Sequence, residues 1–183
     1  MAALAMVIGA GSSAQAGTGG VRVVYCEATF LAHHRIVATE TFTGADPTEF
    51  PVAKRTVAFQ QIKFWSRTPD PGWAVGGFVP GRLYRTQATG NVAITFRGDG
   101  AVRALGFLLN PFGYPNQFEL RVTEAGGAVT VVTLPPDITG DIYLGLSSPR
   151  GIVRIVVAQR PDLADGVSTN FSLDDVSRTA IGG

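Results

Sequence analysis

Near the end of the chain, residues 169–177 read TNFSLDDVS, a β-type stretch with two adjacent carboxylates, Asp174 and Asp175, in its middle. Phe171 and Leu173 alternate as core residues, and Val176 breaks the alternation by one step. A bulge at Asp174–Asp175 accounts for the break and is expected to aim a carboxylate inward. An inward Asp without a partner is costly, so it needs a cation or strong hydrogen-bond donors. Calcium takes roughly six to eight oxygens, many of them backbone carbonyls. ATETFTG (38–44) and NFSLDDV (170–176) offer such a set if the two strands lie side by side. The plain alternatives are two solvated aspartates, or an Asp175 that accepts backbone N–H bonds at a loop.

Catalytic chemistry finds little support. His33 and His34 are the only histidines, and on a strand adjacent residues face opposite ways and cannot converge on one metal. No nucleophile elbow, HExxH, P-loop or dinucleotide fingerprint occurs, so no enzyme is expected. Recognition of sugar needs flat aromatic platforms for the C–H faces of the ring and polar groups for its hydroxyls. Trp73, Phe78, Tyr84, Phe112 and Tyr114 are the candidate platforms, with Asn110, Asn116 and Gln117 as hydrogen-bonding neighbours. Trp65 ends an apolar strand and is assigned to the core.

The elements that must position these residues read as strands. Candidates fall at 21–26, 36–42, 56–65, 92–97, 102–109, 117–124, 128–134, 141–147, 152–159 and 169–177, each short, β-branched or aromatic, and bounded by Gly, Pro, Asp or Ser. Gly98-Asp99-Gly100, Gly126-Gly127 and Pro149-Arg150-Gly151 read as tight hairpin turns. No stretch holds a 3.6-residue period, so almost no helix is expected. The pattern implies an all-β fold, a two-sheet antiparallel β-sandwich of the jelly-roll type. Residues 66–91, rich in Gly and Pro, read as a long irregular excursion.

With 183 residues the chain fits one domain, and 16% charged residues with a net charge of +1 give no basic surface for nucleic acid. The start, MAALAMVIGAGSSAQAG, has an apolar run too short to span a bilayer, followed by Ala14-Gln15-Ala16, an A-x-A cleavage pattern. Residues 1–16 are therefore expected to be a secretory signal peptide, although no Lys or Arg precedes the apolar run. No later segment is long or apolar enough to be a membrane helix. Residues 17–35 are expected to add an extra strand, VRVVYCEATFL, ahead of a jelly roll at 36–179. Cys26 is the only cysteine, so no internal disulfide forms, and it is expected to be a buried small hydrophobe.

The series GNVAITF, VRALGFLL, FELRVTEAGGAVTVVTLP, IYLGLSSPRGIVRIVVAQ and NFSLDDVS resembles the jelly-roll, galactose-binding-like domains of secreted bacterial proteins, including PEP-CTERM-associated ones. It is similar as well to jelly-roll carbohydrate-binding modules. The resemblance covers about residues 36–178 and rests on Thr41-Phe42, Gly106-Phe107 and Leu173-Asp174-Asp175-Val176. It implies a structural Ca²⁺ on Glu40 or Thr41 and on Asp174 or Asp175. It implies further a secreted, non-catalytic protein that binds polysaccharide or a cell-surface glycan. The chain departs from the pattern after Val176, where SRTAIGG carries no Pro-Glu-Pro sorting motif. A subunit of an extracellular fibre, matrix or coat is the competing expectation, favoured by low charge and a mean hydropathy of +0.21.

Overall fold

The computed structural model describes residues 20–42, 56–59, 62–66, 73–75, 83–88, 92–96, 100–111, 118–138, 140–159 and 169–182. Among these the order is β1 (Arg22–Val24), α1 (Glu27–His33), β2 (Ala38–Glu40), β3 (Thr56–Phe59), β4 (Ile62–Ser66), β5 (Trp73–Val75) and β6 (Leu83–Ala88). There follow β7 (Val92–Phe96), β8 (Ala101–Asn110), β9 (Phe118–Glu124), β10 (Val129–Thr133), β11 (Ile142–Gln159), β12 (Thr169–Arg178) and β13 (Ile181–Gly182). The ladders are antiparallel throughout.

The strands form the expected sandwich. One layer runs β1–β11–β8–β12, with β2 and β6 sharing the far side of β12 and β5 outside β6. The other runs β10–β9–β11–β7–β4–β3. β11 belongs to both: residues 142–147 pair with β8 and residues 152–159 with β9. Leu105, Phe107, Leu109, Leu144 and Leu146 of the first layer meet Leu120, Val122, Ile94, Phe96, Ile155 and Val157 of the second in one buried core. Phe118 of β9 and Phe171 of β12 touch edge to face across it, with ring centroids 5.9 Å apart. Along β9 buried and half-buried residues alternate strictly, as in a strand with one face on this core and one toward water.

Pro149-Arg150-Gly151 is therefore no hairpin: the chain runs through it as one strand that changes layer. Gly151 takes φ +90°, which Gly adopts without steric cost. Glu124, fully buried at the end of β9, steadies the bend. It accepts a hydrogen bond from the Ser148 hydroxyl, which in turn accepts the Arg150 N–H at 3.0 Å, and the Arg150 guanidinium lies 3.9 Å from the carboxylate. Gly126-Gly127 does make the expected hairpin, both residues at positive φ, with Glu124 N–H donating to Ala128 O at 2.8 Å. Gly98 and Asp99 of the third expected turn lie outside the described residues; the strands before and after them, β7 and β8, pair with different halves of β11. The stretch 56–65 is two strands, closed at Phe59 opposite Ile62. The excursion 66–91 contributes the edge pair β5–β6.

The segment VRVVYCEATFL is strand only for its first residues. From Glu27 it turns into α1, whose residues Glu27, Ala28, Leu31 and Ala32 are moderate to good helix formers. Phe30 holds the helix to the outer face of the first layer, among Ala104, Tyr143, Val24, Ile36 and Leu108. It fits because Gly106 and Gly145 stand opposite each other in the β8–β11 ladder. A Cβ on Gly145 would lie 2.5 Å from Phe30 Cδ2, and one on Gly106 would lie 2.8 Å from Phe30 Cε1. Overpacking of this kind costs about 1–3 kcal/mol, so Gly145→Ala is expected to lower the urea midpoint accordingly. Phe30→Ala is expected to lose about 3–5 kcal/mol. In the double variant the Gly145→Ala penalty should largely vanish, and full additivity would contradict the packing.

Candidate functional site

The four residues expected to hold a metal flank the point where β12 passes from β6 to β2. On one side of β12 the β6 ladder runs out at Leu173 opposite Leu83, and the β2 ladder begins at Val176 opposite Glu40. Asp174 and Asp175 occupy the interval. On the other side Asp174 pairs with Leu108 and Ser177 with Gly106, so two residues, Asp175 and Val176, face one, Phe107. This is the expected bulge. Asp175 stands at φ 47°, in the left-handed region.

The bulge does not aim a carboxylate into the core. Phe171, Leu173 and Val176 are buried in it, while Asp174 and Asp175 are half-buried. The extra residue lets Val176 take the inward place that strict alternation would have given Asp175. Asp174 Oδ1 accepts the N–H of Asp175 at 2.8 Å. Across the ladder, Glu40 Oε1 accepts the N–H of Phe42 at 2.6 Å, and Phe42 too is left-handed, at φ 55°. Each strained residue thus sends its N–H to a carboxylate one or two positions away, a local bond that offsets part of the cost of the conformation. Thr39 and Ser177 join the same strands by a hydroxyl pair at 2.9 Å. Thr41, half-buried, links Glu40 to Phe42. Among the described residues no three of His, Cys, Asp and Glu gather as a metal site.

On the helix side of this layer the Tyr143 hydroxyl is buried and makes no hydrogen bond among the described residues. Burial, followed by the nearby Glu27, Asp175 and Cys26, pushes the phenol far above its usual range. Cys26 is not the buried hydrophobe expected from the sequence. It is exposed at the start of α1, where hydrogen bonding from Thr29 holds the thiol below its usual range. The two histidines do not face opposite ways along a strand either: His33 ends α1, His34 follows it, and both line one cleft between β1 and α1.

Of the candidate aromatic platforms, Trp73 opens β5 and Tyr84 lies in β6. The ladder pairs Trp73 with Arg85 and Ala74 with Tyr84, so the two aromatic positions fall one register step apart, on alternate faces of the outermost pair among the described strands. Tyr84 is in turn opposite Ser172 of β12. Phe78, Phe112, Tyr114 and Asn116 lie outside the described residues. Asn110 ends β8 and donates to Asp141 at 2.8 Å. Trp65 pairs with Thr56 and Ala93 in the second layer.

No family model matches the chain, and no curated protein matches it. A solved structure similar to it is the K2 cleaved adhesin domain of Lys-gingipain, at 14% identity and a TM-score of 0.43 over 78% of this chain and 99% of that one.

The left-handed backbone at Asp175 yields a test of what its side chain does. Gly tolerates this conformation, whereas a β-branched residue pays about 1–2 kcal/mol. Asp175→Val is expected to destabilise by that amount in chemical denaturation. Asp175→Gly should retain stability in chelator-treated protein, and a loss as large as that of Val would show that the carboxylate itself carries the fold.

Proposed function

We propose that the chain is a secreted, non-catalytic β-sandwich that binds carbohydrate or another extracellular surface component, with a structural calcium ion where β2 meets β12. The observation that carries the binding role is the β5–β6 edge pair. It places Trp73 opposite Arg85 on the outermost of the described strands, in a segment otherwise rich in Gly and Pro, with β6 in turn paired to a strand anchored in the core. Aromatic groups at a rigid sheet edge suit the flat faces of pyranose rings.

The calcium reading is supported by the donor set. Glu40, Thr41, Asp174 and Asp175 present only oxygen, the ligand type a hard cation prefers. They lie where two separate ladders hand over, so an ion there would tie the early strand to the last one. Bound ion stabilises only the folded state. Chelation is therefore expected to lower the melting temperature, and Asp175→Ala to remove that sensitivity. Identical melting with and without chelator would dispose of the ion.

For the binding role, Trp73→Ala is expected to lose retention on a polysaccharide column while keeping the wild-type far-ultraviolet spectrum. Unchanged retention counts against this edge.

Assembly into a larger structure is the second reading, and β10 favours it. This strand pairs with β9 alone among the described strands, carries no charge over Val129–Thr133, and exposes Val129 and Val131 at 56% and 53%. Charged side chains are the usual protection of such an edge. Val131→Lys is expected to abolish oligomers seen by light scattering if the chain assembles there. A wild-type chain that stays monomeric at high concentration excludes it.

A further inference from the structure

We propose that the cleft between β1 and α1 is a binding site for a small oxyanion, a carboxylate, sulfate or phosphate group, held by Arg22, His33 and His34. The site is independent of the Trp73–Tyr84 edge: β1 borders the layer on the side of β11, and β5 borders it on the side of β12.

The cleft has a volume of about 230 Å³, and its lining includes Arg22, Val24, Thr29, Phe30, His33 and His34. Three side chains that carry or can acquire positive charge converge there from two elements, and no carboxylate lines it. Glu27 and Asp175 act on Tyr143, whereas His34 is shifted by burial, His33 and Arg22. Arg22 is exposed and makes no ion pair among the described residues. The charges of the cleft therefore act mainly on one another.

His34 records that repulsion. Its ring packs on Phe30 with centroids 4.7 Å apart, and burial, then His33, then Arg22 hold its pKa below the usual value. His33 is oriented for recognition: its Nδ1 donates to Thr29 O at 2.7 Å, which leaves Nε2 for a ligand. That nitrogen donates only when the ring is protonated. An oxyanion in the cleft would accept from both imidazoles and from the guanidinium, whose donors match an oxyanion's paired oxygens. It would also relieve the mutual repulsion.

The sign of the pH dependence follows. A bound anion favours the charged form of the His34 imidazole and raises its pKa, so binding takes up a proton and strengthens as pH falls. Phe30 and Val24 give the cleft an apolar wall, which suits an anion carried on a sugar ring.

The test titrates the full chain with glucuronate, sulfate and inorganic phosphate at pH 5.5 and pH 8, following the His34 and His33 ring resonances by NMR. Saturable shifts at pH 5.5, affinity lower by roughly tenfold at pH 8, and an upward move of the His34 titration are expected. Neutral glucose should have no effect. Arg22→Ala and His33→Gln, both at exposed positions, should each weaken binding several-fold while leaving the spectrum folded. Tighter binding of glucuronate than of phosphate points to an acidic sugar as the source of the anion, and the reverse order points to a phosphate. Absence of saturable shifts with all three anions, or an affinity unaltered by both variants, overturns the proposal.

Discussion

A β-strand offers the core only every second residue, and β12 has to offer Phe171, Leu173 and Val176, which do not share one alternation. Without an extra residue the inward place after Leu173 would fall to Asp175, and a carboxylate would sit among Phe and Leu side chains. Such a group is far more expensive to bury than a single left-handed residue is to form. The bulge resolves the conflict in favour of Val176. It also breaks the strand's lateral pairing at the same point, so that β6 covers the first half of β12 and β2 the second. The positions of Glu40, Thr41, Asp174 and Asp175 all follow from that one mismatch.

A second constraint acts on the opposite face of the layer. Gly106 and Gly145 leave a bare patch in the β8–β11 ladder, and Phe30 fills it. The helix is too short to be stable alone, so this ring is what places α1 on the sheet. The cleft of Arg22, His33 and His34 exists because α1 is docked there against β1. β11 unites the two halves of the molecule, since each of its ends builds a different layer around the bend held by Glu124, Ser148 and Gly151.

Much of the fold was legible in the sequence, because alternation reports a half-buried strand directly. β9 and β10 read as they fold, and Val176 out of phase announced the bulge. Other features depend on partners distant in the chain. Pro149-Arg150-Gly151 has the residues of a turn, but whether such a point reverses the chain or bends it depends on the neighbours of each half. Glu27–His33 shows no period because its roughly two turns bury only Phe30. The role of Gly106 and Gly145 lies in a ring about seventy-six and one hundred and fifteen residues away. His33 and His34 were misjudged for the same reason, since a strand geometry was assumed where a helix ends.

The functional account rests on the final strand being shifted by one residue against β8 while it passes from β6 to β2. Interstrand nuclear Overhauser effects on the isotope-labelled chain test this most directly. Contacts between Ser177 and Gly106 and between Val176 and Glu40, with a left-handed Asp175, are the predicted result. An uninterrupted ladder, in which Val176 rather than Ser177 lies opposite Gly106, would contradict it.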